Sequence, residues 1–111
     1  MTLVEKIITA VSEETGVSIA DLCRYGYRGI SGPRNPRHIA ARRVLMIVLH
    51  RHAGYSLIRT AFETGHHAHS CVCEGIRLSE SGADDGLLPT PSVAMAAWIW
   101  AQVSQSRPTQ P

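Results

Sequence analysis

Leu3, Ile7, Ile8 and Val11 recur at helical spacing along the start of the chain, while Glu5, Lys6, Glu13 and Glu14 fall largely between them. The pattern predicts an amphipathic helix over residues 2–15, ended by Gly16. Ser18, with Asp21 three positions on, is a capping signal for a short helix from Ile19 to about Arg24. The next stretch, "YGYRGISGPRNP" at 25–36, carries three glycines and two prolines, which exclude a regular element and predict an exposed basic loop. From Arg37 to His52 the pattern is helical again, with Pro36 at or just before its first turn. Its apolar segment "VLMIVL" has the composition of a buried strand, but the flanks "RHIAARR" and "HRH" extend the element past strand length without a turn signal. A long central helix is therefore expected.

Ser56 is a cap for a short helix with Leu57, Ile58 and Ala61 turned inward, and "ETG" closes it with a tight turn. A second helix begins after Gly65 and runs to about Glu80. Two short helices joined through a glycine turn, the second polar at its start, form a helix-turn-helix pattern. "SESGADDGLLPTP" reads as a connecting segment, and Ser92 to Gln105 as a last amphipathic helix with Val93, Ala96, Ala97, Trp100 and Val103 on one stripe. The expected fold class is all-α: a helix-turn-helix bundle with a long central helix and an extra C-terminal helix.

With 111 residues the chain suits one domain with a modest core, and with a single phenylalanine, Phe62, that core must be mostly aliphatic. The net charge is only +2, but its distribution is uneven. No acidic residue lies between Asp21 and Glu63, while Arg24, Arg28, Arg34, Arg37, Arg42, Arg43, Arg51 and Arg59 all do. Such a field favours polyanions. Of the three cysteines, Cys71 and Cys73 are too close for an ordinary structural bridge, so a reducing cytoplasm is expected. The longest apolar run spans six residues, too few to cross a bilayer, and the N-terminus has no export pattern.

The densest chemistry lies in "GHHAHSCVCEGI" at 65–76. On a helix, His67 and Cys71 share a face, as do His69 and Cys73, so each pair could hold two corners of a zinc site. The pairs lie on different faces, and Cys23, His38, His50 and His52 offer further ligands without a recognisable spacing. No metal or other cofactor is therefore expected. No acidic pair or oriented third group accompanies the cysteines and histidines, so no enzymatic activity is expected either.

The order and spacing of residues 7–78 resemble the C-terminal DNA-binding domain of the bacterial replication initiator DnaA. "ETGVSIADL" is similar to the family's short-helix segment, with Asp21 and Leu22 at its Asp-Leu pair. "RNPRHIAARRVLMIVLHRHAGYSL" matches the basic loop, the long helix and the start of the helix-turn-helix without a gap. "GHHAHSCVCEGIRL" continues the register through a signature that reads Gly-Arg-Asp-His-Thr-Thr-Val in the family. The resemblance implies a DNA-binding domain over 1–80, a linker at 81–90, and a C-terminal amphipathic helix and tail at 91–111.

It also implies roles. Arg34 would enter the minor groove, Arg42 would lie near the DNA backbone, and Ser56 opens the helix-turn-helix. His66 and His67 stand in place of Arg-Asp, Ala68 replaces the signature histidine, and His69 and Ser70 take the two threonine positions, which implies that Cys71 and Cys73 lie on the side of the helix that packs on the core. Arg37 and Arg43 join Arg42 as phosphate contacts, because backbone contacts dominate such interfaces. The signature is largely rewritten, and nothing resembles the phosphate-cradling loop of an ATPase. The expectation is sequence-specific binding of double-stranded DNA, as a replication or transcription accessory without ATPase activity, cytoplasmic and nucleoid-associated, with a homodimer or protein contact through the C-terminal helix. The competing expectation is a small zinc-binding or protein-interaction module using the His/Cys cluster or the tryptophan stripe.

Overall fold

A computed structural model of the protein describes residues 1–23, 35–65 and 69–105. Among these residues every regular element is helical, as expected for an all-α bundle. The helices are α1 (Leu3–Thr15), α2 (Ile19–Leu22), α3 (Pro36–Ile47), which runs on as a π-helical turn (Val48–His52), α4 (Leu57–Glu63), α5 (His69–Glu80) and α6 (Ser92–Gln105).

Local chemistry sets the helix ends. At the start of α1 the Thr2 hydroxyl accepts the Glu5 N–H at 3.1 Å, and the Glu5 carboxylate accepts the Thr2 N–H at 2.8 Å, a reciprocal capping box. Gly16 ends α1 at φ 74°, a left-handed conformation that favours glycine, and its N–H donates to the Ser12 carbonyl. Ser18 caps α2 through the Asp21 N–H, and Asn35 caps α3 through the Arg37 N–H, with Pro36 in the first turn. The Arg37 guanidinium then reaches back to the Thr15 carbonyl at 2.7 Å, a cation at the negative end of α1.

α3 is the hub. Ala40, Ala41, Val44, Leu45, Met46, Ile47, Val48 and Leu49 are all buried, so the segment that could have been a strand by composition is a helix covered on all sides. α1, α2, α5 and α6 pack around it. Val4, Ile7 and Val11 come from α1, and Val72 and Ile76 from α5, giving the aliphatic core expected of this composition. Gly75 brings α5 close to α3: a Cβ there would stand 3.0 Å from the Met46 sulfur. Residues 81–90, expected as a linker, join α5 to α6 through turns in which Leu88 and Asp84 are buried. Asp84 accepts from the Arg43 guanidinium at 2.7 Å and from the Ser79 hydroxyl, tying this segment to α3 and α5.

Several side-chain orientations differ from expectation. Ile58 is 71% exposed and Phe62 74% exposed, so neither packs inward; Thr60 and Ala61 take the buried side of α4. α6 buries Met95, Ala96, Ile99 and Val103, leaving Val93 and Ala97 in solvent and Trp100 only partly covered. In a helix without charged residues, two apolar stripes offset by one position both satisfy helical periodicity. Contacts with α1 and α3 select between them.

Candidate nucleic-acid interface

Short-range hydrogen bonds set both ends of α4. The Ser56 hydroxyl accepts the Arg59 N–H at 3.0 Å and opens α4. At its end the Thr64 hydroxyl donates to the Thr60 carbonyl at 2.8 Å, and Gly65 turns the chain at φ 79°. Thr64 and Gly65 are both buried. α4 then packs on α5, whose inward side is Val72, Gly75, Ile76 and Ser79, the i, i+3, i+4, i+7 pattern of a half-buried helix.

The outward side of α5 exposes His69 and Ser70 in its first turn, then Cys71, Cys73, Glu74, Arg77 and Glu80. This corrects the placement of the cysteines. Both were expected on the packing side of the helix, but Val72 alone of that trio points into the core. Helical geometry puts Cys71 and Cys73 on either side of it.

Between α5, the π-helical turn and the start of α4 lies an open groove of about 610 Å³. Leu57 and Ile76 supply its apolar lining, and its polar lining includes the carboxylates of Glu74 and Glu80 beside His50, Arg51, His69, Ser70, Cys73 and Arg77. His50 Nδ1 lies 2.8 Å from the Tyr55 carbonyl. A carbonyl oxygen only accepts, so Nδ1 carries the proton and Nε2 is an acceptor when the ring is neutral.

Electrostatics around this surface differ from what the acid-free interval suggests. Arg51 makes two bonds to Glu80, at 2.9 and 3.0 Å. Arg59 pairs with Glu63 at 2.8 Å and lies 4.9 Å from the centre of the Tyr55 ring. Arg77 pairs with Glu74, and Arg43 with Asp84. The hydrogen bonds to Glu80 and Glu74 hold Arg51 and Arg77 above the ordinary arginine range, and the bond from Arg77 holds the Glu74 carboxyl below its usual value. A phosphate reaching these guanidinium groups meets partners already in place. Only Arg59–Glu63 and Glu74–Arg77 show in the sequence as helical neighbours.

The other expected contact residues fare differently. Arg42 is 9% exposed and its Nε donates to the Asp21 carbonyl at 3.0 Å, so it joins α3 to α2 from within the fold. Arg37 is exposed at the start of α3 and bonded to Thr15. Ser56 is exposed, with its hydroxyl capping α4. Arg34, His66, His67 and Ala68 lie outside the described residues, as do Arg24 and Arg28. The structure therefore brings His69 and Ser70 to one exposed helix start, and Ser70 and Arg42 both line an open groove of about 450 Å³ between α3 and α5.

Among the described residues no group of three or more His, Cys, Asp or Glu side chains is arranged to hold a metal ion. Cys23 is partly buried, and burial, followed by the charge of Glu63, pushes its thiol up while Arg42 draws it down. Among the same residues no helix is long and apolar enough to cross a membrane. Sequence reasoning missed the outward Ile58 and Phe62 and the groove beneath Leu57, because both depend on how α4 is rotated against α5. Comparison with protein-family models, with curated proteins and with solved structures found no match for this chain.

Proposed function

We propose that this protein binds double-stranded DNA in a sequence-specific manner through α4 and α5, as a replication or transcription accessory without ATPase activity. The observation that carries the reading is the exposed first turn of α5, where His69 and Ser70 follow a buried glycine turn on a helix packed against α4. A helix start of this kind offers free backbone N–H groups to phosphate and short polar side chains to base edges. The resemblance to the DnaA C-terminal domain adds Arg34 as the minor-groove reader and His66 and His67 as further signature positions. Because Arg43, Arg51, Arg59 and Arg77 are paired with carboxylates, phosphate contacts fall mainly to Arg37 and to the loop arginines. Protein contacts belong to α6, as a homodimer or with another protein, since the outward side of α5 carries charged residues and that of α6 does not.

Selection of binding sites from random duplexes, followed by a salt titration on the selected site, tests the proposal. Each phosphate contact contributes about −0.9 to the slope of log affinity against log salt, so a slope of about −3 or steeper is expected. Arg34→Ala should weaken binding and relax preference at one end of the site. Recovery of no preferred sequence, or an affinity indifferent to salt, rejects the reading.

A further inference from the structure

Two open grooves flank α5, one toward α4 and the π-helical turn, the other toward α3, and among the described residues Ser70 and Glu74 line both. These two side chains stand one helical turn apart, so they form the crest of the ridge that α5 makes between the grooves. A helical ridge laid against a duplex carries its crest deepest into the major groove, where the base edges lie, while its flanks face the phosphates. Glu74 is the longer side chain on that crest, and it is 55% exposed. The Arg77 guanidinium donates to both of its carboxylate oxygens, from Nε to Oε1 at 3.2 Å and from a terminal nitrogen to Oε2. This grip fixes the direction of the carboxylate, keeps it ionised, and sets a positive charge beside it that offsets its repulsion from phosphate. Each oxygen accepts more than one hydrogen bond, so the bonds from Arg77 leave Glu74 able to take another donor.

We infer that Glu74 is a specificity-determining residue that selects cytosine at one position of the bound DNA site. The inference rests on the proposed binding of DNA through α5. An ionised carboxylate accepts hydrogen bonds and donates none. Guanine and thymine turn acceptor atoms toward the major groove and repel it. Adenine offers its N6 amino group, but beside the N7 acceptor. Cytosine offers the N4 amino group alone, which makes it the base edge that a carboxylate fits best. His69 and Ser70, which both donate and accept, do not discriminate in this way, so the crest carboxylate adds a selection that the first turn of α5 lacks.

Selection of binding sites from random duplexes tests the inference, run side by side on the unaltered chain, Glu74→Gln, Glu74→Ala and Glu14→Gln. The unaltered chain should select a site with cytosine fixed at one position. Glu74→Gln, whose amide suits the paired donor and acceptor of adenine, should move that position from cytosine to adenine, with relative affinity for the two duplexes changing by about fivefold or more. Glu74→Ala should leave the same position unspecified and the rest of the site as before. Helical circular dichroism should be retained, because Glu74 is exposed. Glu14→Gln makes the same change of charge at an exposed position on α1 and should select the original site. If both Glu74 variants select the original site, or Glu14→Gln shifts the same position, the carboxylate acts by charge alone: the inference is overturned while DNA binding through α5 stands. If the unaltered chain selects no sequence, the DNA-binding reading falls and the inference with it.

Discussion

α5 and α6 are of similar length, 12 and 14 residues, and both pack on α3, yet they turn opposite chemistries outward. α5 shows solvent two imidazole- or hydroxyl-bearing residues, two thiols and a run of paired charges; α6 shows alanines, a valine and a tryptophan. The two inward stripes are alike, spaced at three and four residues and mostly apolar, so burial alone accounts for why both helices sit where they do. What distinguishes them is on the side the core does not constrain. A polar, hydrogen-bonding helix start suits a hydrated polyanion, while an uncharged apolar face suits another protein surface.

The strongest challenge to this comparison is to cut each inner stripe. Ile76→Ala in α5 and Ile99→Ala in α6 remove fully or almost fully buried side chains, and each should cost about 2–5 kcal/mol in chemical denaturation. A negligible cost for Ile99→Ala would mean that α6 is an appendage and that its two faces are equivalent. A smaller effect is expected from Asp84→Ala, which strands the partly buried Arg43 guanidinium and the buried Ser79 hydroxyl. A loss of about 1–3 kcal/mol in the same measurement is expected, and no loss would show that the connecting segment does not hold α5 and α6 in register. The smallest perturbation leaves the fold intact and sharpens the picture of α5 alone. Under native conditions a thiol reagent should modify Cys71 and Cys73 before Cys23, whose thiol is partly buried and raised. Peptide mapping that found Cys71 protected would return it to the packing side and move the outward face of α5 by a helical position.

The helix ends were largely legible because their causes are local. Gly16, Ser18, Pro36 and Ser56 each act within a few residues, and Leu3–Thr15 and Ser92–Gln105 are bounded almost as the patterning implies, whereas the Thr2–Glu5 box and the Asn35 cap were not read from the sequence. The central helix was legible from its length. Its widening into a π-helical turn at Val48–His52 was not, since the bonds from the Ala53 and Tyr55 N–H groups to Val48 and Leu49 leave no mark in composition. In the candidate site, the helix start at His69 and Ser70 was within reach, whereas the burial of Arg42 was not. An arginine early in a long helix looks the same in sequence whether it faces DNA or the Asp21 carbonyl.

By itself, then, the sequence determined an all-helical chain, the positions of its breaks, an aliphatic core centred on "VLMIVL", and a glycine-turned helix pair with a polar second start. These depend on interactions between residues a turn or less apart, or on the total of apolar side chains. Tertiary structure decided which stripe of α6 is buried, which way Ile58, Phe62 and the α5 cysteines point, and which carboxylates meet the arginines. Glu80 reaches Arg51 and Asp84 reaches Arg43 only after α5 and the segment beyond it have folded back on α3. Charge counted along a chain ignores the acids that folding brings in from far away, and helical periodicity in an uncharged segment does not choose between adjacent faces.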